Sequence, residues 1–213
     1  MESTFGTDEY EIKEIKNNQE KNAIKHFFED CVFLNGACGV NIIHDETGIN
    51  AEMLVKEPDY SNIPDEKKAI TNPNVERWLL LLGQLGTPET QDAHTLYNLY
   101  FSFLAKELAN AKLLIPMKND GDYNADNNES VKEGAGFPLA TIKGKGQKDA
   151  ILMYTDWKRL KMGMGDENWD VMIQTINGAI NNFDCAINLT KYAQAGFYVN
   201  QEMFDSIKKI SGI

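Results

Sequence analysis

Leu108-Ala-Asn-Ala-Lys-Leu-Leu-Ile-Pro-Met117 changes its period halfway along. Up to Asn110 it closes a long segment whose apolar residues recur every third or fourth position. From Lys112 to Met117 the apolar residues run together and stop beside a proline. The first half is the end of a helix. The second half is a short apolar strand, and Pro116, which has no N–H to give to a ladder, marks it as an edge strand or a strand end. With more strand-like and helix-like pieces on either side, the expected class is α+β, a mixed β-sheet with helices packed against it.

Toward the N-terminus, Thr87, Pro88 and Glu89 form a start signal for the helix that ends at Asn110. Its apolar set includes Ala93, Leu96, Tyr97, Tyr100, Phe101, Phe103, Leu104 and Leu108, a stripe wide enough to be buried on more than one side. Asn72 and Pro73 look like a cap and a first-turn proline, opening a helix whose face is Val75, Trp78, Leu79 and Leu82, up to Gly83. The charged, proline-bearing run from Pro58 to Pro73 reads as a surface connection. It divides the chain into an N-terminal extension, residues 1–62, packed on a main domain, residues 63–213. In the extension, Met1 to Asn18 reads as loose, Gln19 to Asp30 as a helix carrying Ala23, Ile24, Phe27 and Phe28, and Val40 to Val55 as a hairpin turning at Asp45 to Gly48.

Toward the C-terminus, Lys118 to Gly136 is a polar insertion, and Phe137 to Lys143 with Ala150 to Thr155 reads as a second hairpin turning through Gly144 to Asp149. Asp156 caps a short helix holding Trp157, Leu160 and Met162. Trp169, Met172, Ile173 and Ile176 have the spacing of another helix, ending at Asn181 and Asn182. Asp184 to Leu189 and Gly196 to Val199 read as strands. Met203, Phe204, Ile207 and Ile210 line one face of a closing helix from Gln201 to Ile210.

The 213 residues carry 32 acidic and 21 basic side chains, a net charge of −11, with 42% apolar residues. That is ordinary globular composition. Phosphate backbones and anionic membranes repel such a charge unless one face is locally basic, and the basic runs Lys143 to Lys148 and Trp157 to Lys161 are too short for a nucleic-acid footprint. No apolar stretch approaches the length of a membrane span. Met1 to Glu14 is acidic and polar, unlike a secretory leader, and Cys31, Cys38 and Cys185 are an odd, sparse set that suits a reducing compartment. The expected location is the cytoplasm.

Several pieces, taken in order, resemble the N-terminal domain of the SseB (enhanced serine sensitivity) family. They are the Asn72-Pro73 helix start, Leu108 to Met117, Phe137-Pro-Leu-Ala-Thr141, Met153-Tyr-Thr-Asp-Trp157, Ala186-Ile-Asn188 and Tyr198 to Phe204. The similarity covers roughly residues 72–210. The resemblance implies an α+β fold, a cytoplasmic location and a role in control of amino-acid or sulfur metabolism. It supplies no catalytic site. The insertion after Met117 is longer than is usual in that family, and the first 70 residues have no counterpart there.

Motifs for chemistry are each incomplete. Asp120, Asp122, Asn124, Asp126 and Asn128 alternate like the oxygen ligands of a calcium loop, but Ala125 stands where the turn needs Gly and Val131 where the bidentate Glu belongs. His44 and Asp45 are adjacent and point to opposite faces of a strand, and Cys31 and Cys38 fit neither a redox pair nor a zinc knuckle. Lys143 to Lys148 lacks phosphate-loop spacing, and no hydrolase or metalloprotease motif occurs. No cofactor, metal or catalytic residue is therefore expected.

Trp78, Phe103 and above all Tyr97, Tyr100, Phe101, Trp157 and Trp169 remain, as core or as the lining of a pocket or partner groove. Tyr97 with Tyr100 and Phe101 with Leu104 offer more apolar surface than one sheet face needs, which points to a homodimer. The leading expectation is a non-enzymatic domain that binds a protein partner, without nucleic acid or membrane. The alternative is a small-molecule-binding protein or an enzyme with its own pocket, using Asp156, Glu167 or Asp170 near Trp157 and Trp169. A carboxylate with an environment-shifted pKa in a deep cleft would mark that second case.

Overall fold

Strand β5 (Asp149–Met153) lies at the centre, and every second side chain faces the same way. Ile151 and Met153 point to one apolar cluster, and Ala150 and Leu152, followed by Tyr154, point to another. β5 pairs in parallel with β7 (Asp184–Ile187), and antiparallel neighbours flank the pair: β4 (Thr141–Lys143) on β5 and β8 (Phe197–Val199) on β7. The fold is α+β, seen in a computed structural model that describes residues 22–42, 47–64, 67–118, 138–144, 148–165, 169–179, 183–190 and 196–212.

Strand β3 (Leu113–Met117) pairs antiparallel with β6 (Asp170–Gln174), Leu114 against Ile173 and Pro116 against Val171. Its other side bonds to Tyr154, whose N–H and C=O both reach Leu114, and then to Pro138 and Ala140. β3 therefore has neighbours on both sides, and the expected edge strand is corrected. Pro116 is tolerated because its missing N–H falls where β3 passes from Tyr154 to the 138–140 segment, between the bonds of Leu114 and Lys118.

One face of the sheet is covered by α3 (Pro73–Leu85), α4 (Gln91–Asn110) and α7 (Gln201–Ser211). Leu79, Leu82, Leu104, Leu108, Phe204 and Ile207 from these helices meet Leu113, Ile115, Ile151, Met153, Cys185 and Ile187. On the other face α5 (Trp157–Met164) contributes Leu160 against Leu152 and Tyr154. Gly163 lets α5 close on the Tyr154 hydroxyl, which a Cβ there would meet at 2.3 Å.

The second hairpin, the cap by Asp156 and the closing helix stand as the sequence suggests. The helix expected over Trp169 to Ile176 is instead strand β6, followed by the short helix α6 (Ile176–Ala179). Val171 faces one cluster and Met172 the other, a period of two that three consecutive apolar residues conceal in the sequence. The ladder to β3 decides between the two periods. Helix α4 begins later than the Thr87 signal suggests, because Thr90 accepts the bond from Ala93 N at 3.2 Å and is the true cap.

In the N-terminal part, α1 (Ala23–Phe33) precedes the hairpin of β1 (Gly39–Ile42) and β2 (Thr47–Asn50). The second strand stops at Asn50, and Ala51–Leu54 forms the short helix α2, where Ala, Glu, Met and Leu favour helix over strand. This part meets the main domain through polar contacts. Gly36 O accepts from Arg77 Nε at 2.6 Å, and Lys158 Nζ is 3.2 Å from Asp30. Gly36, at φ 70°, allows that approach, since a Cβ would sit 2.0 Å from Pro73 O.

The loose N-terminus, Gln19 to Lys21, the 43–46 turn with His44 and Asp45, the Asp120 to Asn128 loop, residues 145–147, Glu167, and Asn181 and Asn182 lie outside the described residues.

Candidate functional site

Thr155 and Asn188 follow the carboxyl ends of the parallel strands β5 and β7, the place where α/β sheets gather polar groups. Asn188 takes the left-handed conformation, φ 51°, which a short amide side chain tolerates. Its N–H bonds Met153 O at 2.8 Å, and its Oδ1 accepts from Thr155 N at 3.0 Å. Into this corner α3 sends Glu76 from its first turn. Glu76 Oε1 accepts from the Thr155 hydroxyl at 2.5 Å and from Asn188 Nδ2.

Arg159, in the first turn of α5, closes the cluster. Its Nε lies 2.7 Å from Glu76 Oε2, an ion pair in which the N–H does not point at the oxygen, so the contact is electrostatic without a hydrogen bond. Its Nη1 donates to Asp156 Oδ2 at 2.5 Å, and its Nη2 donates to Asn35 Oδ1 at 2.8 Å, reaching the N-terminal part. Asp156 Oδ1 also caps α5 by accepting from Arg159 N at 2.9 Å. Asn72 stands at the start of α3 but does not cap it with its side chain. That amide donates to Thr155 O at 2.7 Å and Lys112 O at 2.9 Å.

Burial pushes the Glu76 carboxyl up to about 7, Arg159 and the bonds from Thr155 and Asn188 oppose the rise, and the nearby Asp156 charge adds to it. One guanidinium serves two carboxylates here, so burial is only partly compensated.

A shifted carboxylate is thus present, but in no deep cleft. Glu76 and Thr155 have no exposed surface, and Asp156 and Asn188 have 1% each. Nearby, a cleft of about 230 Å³ between the start of α3 and the end of α4 is lined by Asn72, Asn74, Glu107 and Asn110 among others, with Asn72 its one residue from the cluster. That is below the usual size of a small-molecule pocket. The cluster ties α3, α5, two strand ends and Asn35 together, and its geometry offers a substrate no approach. Among the described residues no group of three metal-binding side chains occurs.

The five aromatic residues singled out in the sequence are not brought together. Tyr97, Tyr100 and Phe101 pack half-buried on the helix side of the sheet, with Phe101 6.5 Å from Phe197. Trp169 packs on the opposite face, its ring 4.8 Å from Lys118 Nζ and its Nε1 buried without a partner. Trp157 is half exposed. Asp156 belongs to the buried cluster, and Asp170 is exposed on β6.

Surplus apolar surface lies elsewhere on the same helix. Leu104 is fully buried, whereas Leu96, Leu99 and Phe103 are 36%, 48% and 37% exposed along the outer side of α4. Trp78 stacks on Phe103 at 4.7 Å and tilts against Tyr100 at 5.7 Å, extending the patch onto α3, where Leu81 and Leu85 are half-buried. No family profile, curated protein or solved structure matches the chain. Two features of the chain bear on function, the buried cluster and the outer helix face. Glu76 was readable only as a lone charge on the apolar side of α3, between Val75 and Leu79.

The cysteines give a direct check on burial. Cys185 has no exposed surface, and burial, with help from Asp184, pushes its thiol up to about 12. Cys38 is exposed. A thiol reagent at pH 8 is expected to label Cys38 in the native protein and Cys185 only on unfolding; native labelling of Cys185 would contradict the packing of β7.

Proposed function

We propose that this protein is a non-enzymatic, cytoplasmic interaction domain that works by presenting the outer face of α3 and α4 to a protein. The observation that carries the reading is the exposed row Leu96, Leu99 and Phe103, backed by Trp78, on helices whose inner faces bury Leu79, Leu82, Leu104 and Leu108 in the core. Contiguous apolar surface of this kind costs free energy in water and is retained where something covers it. The sealed polar cluster fits the same reading, since Glu76, Asp156 and Arg159 hold elements together and do not line the cleft at the start of α3. The regulatory role implied by the SseB resemblance is compatible with such a surface.

A photo-crosslinking residue placed at position 99 in the cell tests this. It is expected to give covalent adducts heavier than the chain, while the same residue at exposed Lys161, on α5 across the sheet, gives none. Equal yields at both positions, or none at either, would contradict the reading. No helix among the described residues is long and apolar enough to cross a membrane.

A further inference from the structure

The order of side chains along the outer face of α4 says what fits it. Asp92, Leu96, Leu99, Phe103 and Lys106 are all exposed and advance by steps of four, three, four and three, the spacing that keeps residues on one straight strip of a helix. An anion stands seven positions before Leu99 and a cation seven positions after it. Glu107, next to that cation, is also exposed and lies on the α3 side of the strip, where it borders the cleft at the start of α3 with Asn74.

A strip with this order complements itself when reversed. If two copies of α4 lie antiparallel with a two-fold axis at Leu99, Leu99 meets Leu99, Leu96 meets Phe103, and Asp92 meets Lys106, the last two contacts each occurring twice. A parallel arrangement sets Asp92 on Asp92 and Lys106 on Lys106. From Asp92 to Lys106 the strip runs about 21 Å, long enough for a helix-pair contact. The chain's net charge of −11 disfavours close approach of two copies in general, but this strip holds one charge of each sign.

We propose that the outer face of α4 binds a second copy of this chain, antiparallel and centred on Leu99. The proposal rests on the interaction reading above and names its partner. Leu99 pairs with itself at the core of the contact, Trp78 stacked on Phe103 widens it from the α3 side, and the two Asp92–Lys106 pairs fix direction and register.

Sedimentation equilibrium of the purified full chain, over about 1 to 200 µM, tests it. The wild-type chain is expected to move from monomer to dimer across that range. Leu99→Glu sets two carboxylates against each other on the axis and is expected to weaken the dimer about a hundredfold, so that only monomer is seen. Asp92→Lys and Lys106→Asp, made singly, each replace two attractive pairs by two repulsive ones and weaken the dimer roughly tenfold; made together they restore it. All four variants substitute exposed residues, so thermal melts of the monomers serve as the control for folding. A wild-type chain that stays monomeric throughout overturns the proposal, as does a double charge swap that is weaker than either single change. That failure leaves the interaction reading standing if position 99 still crosslinks in the cell, whereas loss of both sinks both.

Discussion

Replacing Arg159 by methionine is expected to lower stability by about 3 kcal/mol at pH 8, because it strands Glu76 and Asp156 in a buried corner without their cation. Methionine keeps much of the side-chain volume, so the loss reports charge rather than packing. Glu76 is fully buried, and its only compensating charge is the Arg159 guanidinium 2.7 Å away, among the ion pairs of the described residues. Acid relieves the defect, since a stranded carboxyl can take up a proton. At pH 5.5 the expected cost is about 1 to 2 kcal/mol, the worth of the hydrogen bonds to Asp156 and Asn35. Urea unfolding at the two pH values measures both. For a chain of this size the pH 8 loss corresponds to roughly 6 to 12 °C in the midpoint of a thermal melt. A loss that is the same at both pH values would show that Glu76 is not the group left uncompensated.

Glu76 itself sets the second large effect. Its carboxyl is raised from 4.5 to about 7 in the folded chain, so between those values the folded state holds a proton that the unfolded state has released. Stability from this group is therefore fully present below pH 4.5 and is lost as pH rises through 7. At about 1.4 kcal/mol per pH unit, the loss amounts to about 3 kcal/mol. Glu76→Gln keeps an acceptor for Thr155 and Asn188 and cannot ionise. The wild-type stability minus that of the variant is expected to fall by about 3 kcal/mol between pH 4.5 and 8. A difference that is flat, or that rises with pH, would mean that Arg159 outweighs burial.

The fold class was readable because its decisive pieces obey local rules. The period change at Ala111, the cap at Asp156 and the hairpin of β4 and β5 depend on residues close together in the chain. Where local rules failed, a distant contact made the choice. Val171 to Ile173 is strand because β3 supplies a ladder, and Pro116 sits inside a sheet because its bare nitrogen falls at a change of partners. The buried cluster was illegible for the same reason. Asn35, Glu76, Asp156, Arg159 and Asn188 are scattered along the chain, and Asn188 draws its conformation from bonds to Met153 and Thr155. The outer face was half legible. The sequence shows that α4 carries more apolar side chains than one contact needs, but the side that stays exposed depends on how α3 and α7 flank it, which brings out Leu99 and turns Leu104 inward.

In the proposed role, the outer face of α3 and α4 is a contact surface in the cell. Size-exclusion chromatography of the full chain in native extract, alongside a Leu96→Glu, Leu99→Glu double variant, tests it most directly. The wild-type chain is expected to elute well above its 24.0 kDa monomer and the variant at the monomer position, with equal thermal stability. Elution of the wild-type chain as a monomer, or of both chains in the same larger species, would rule out that role for the helix face.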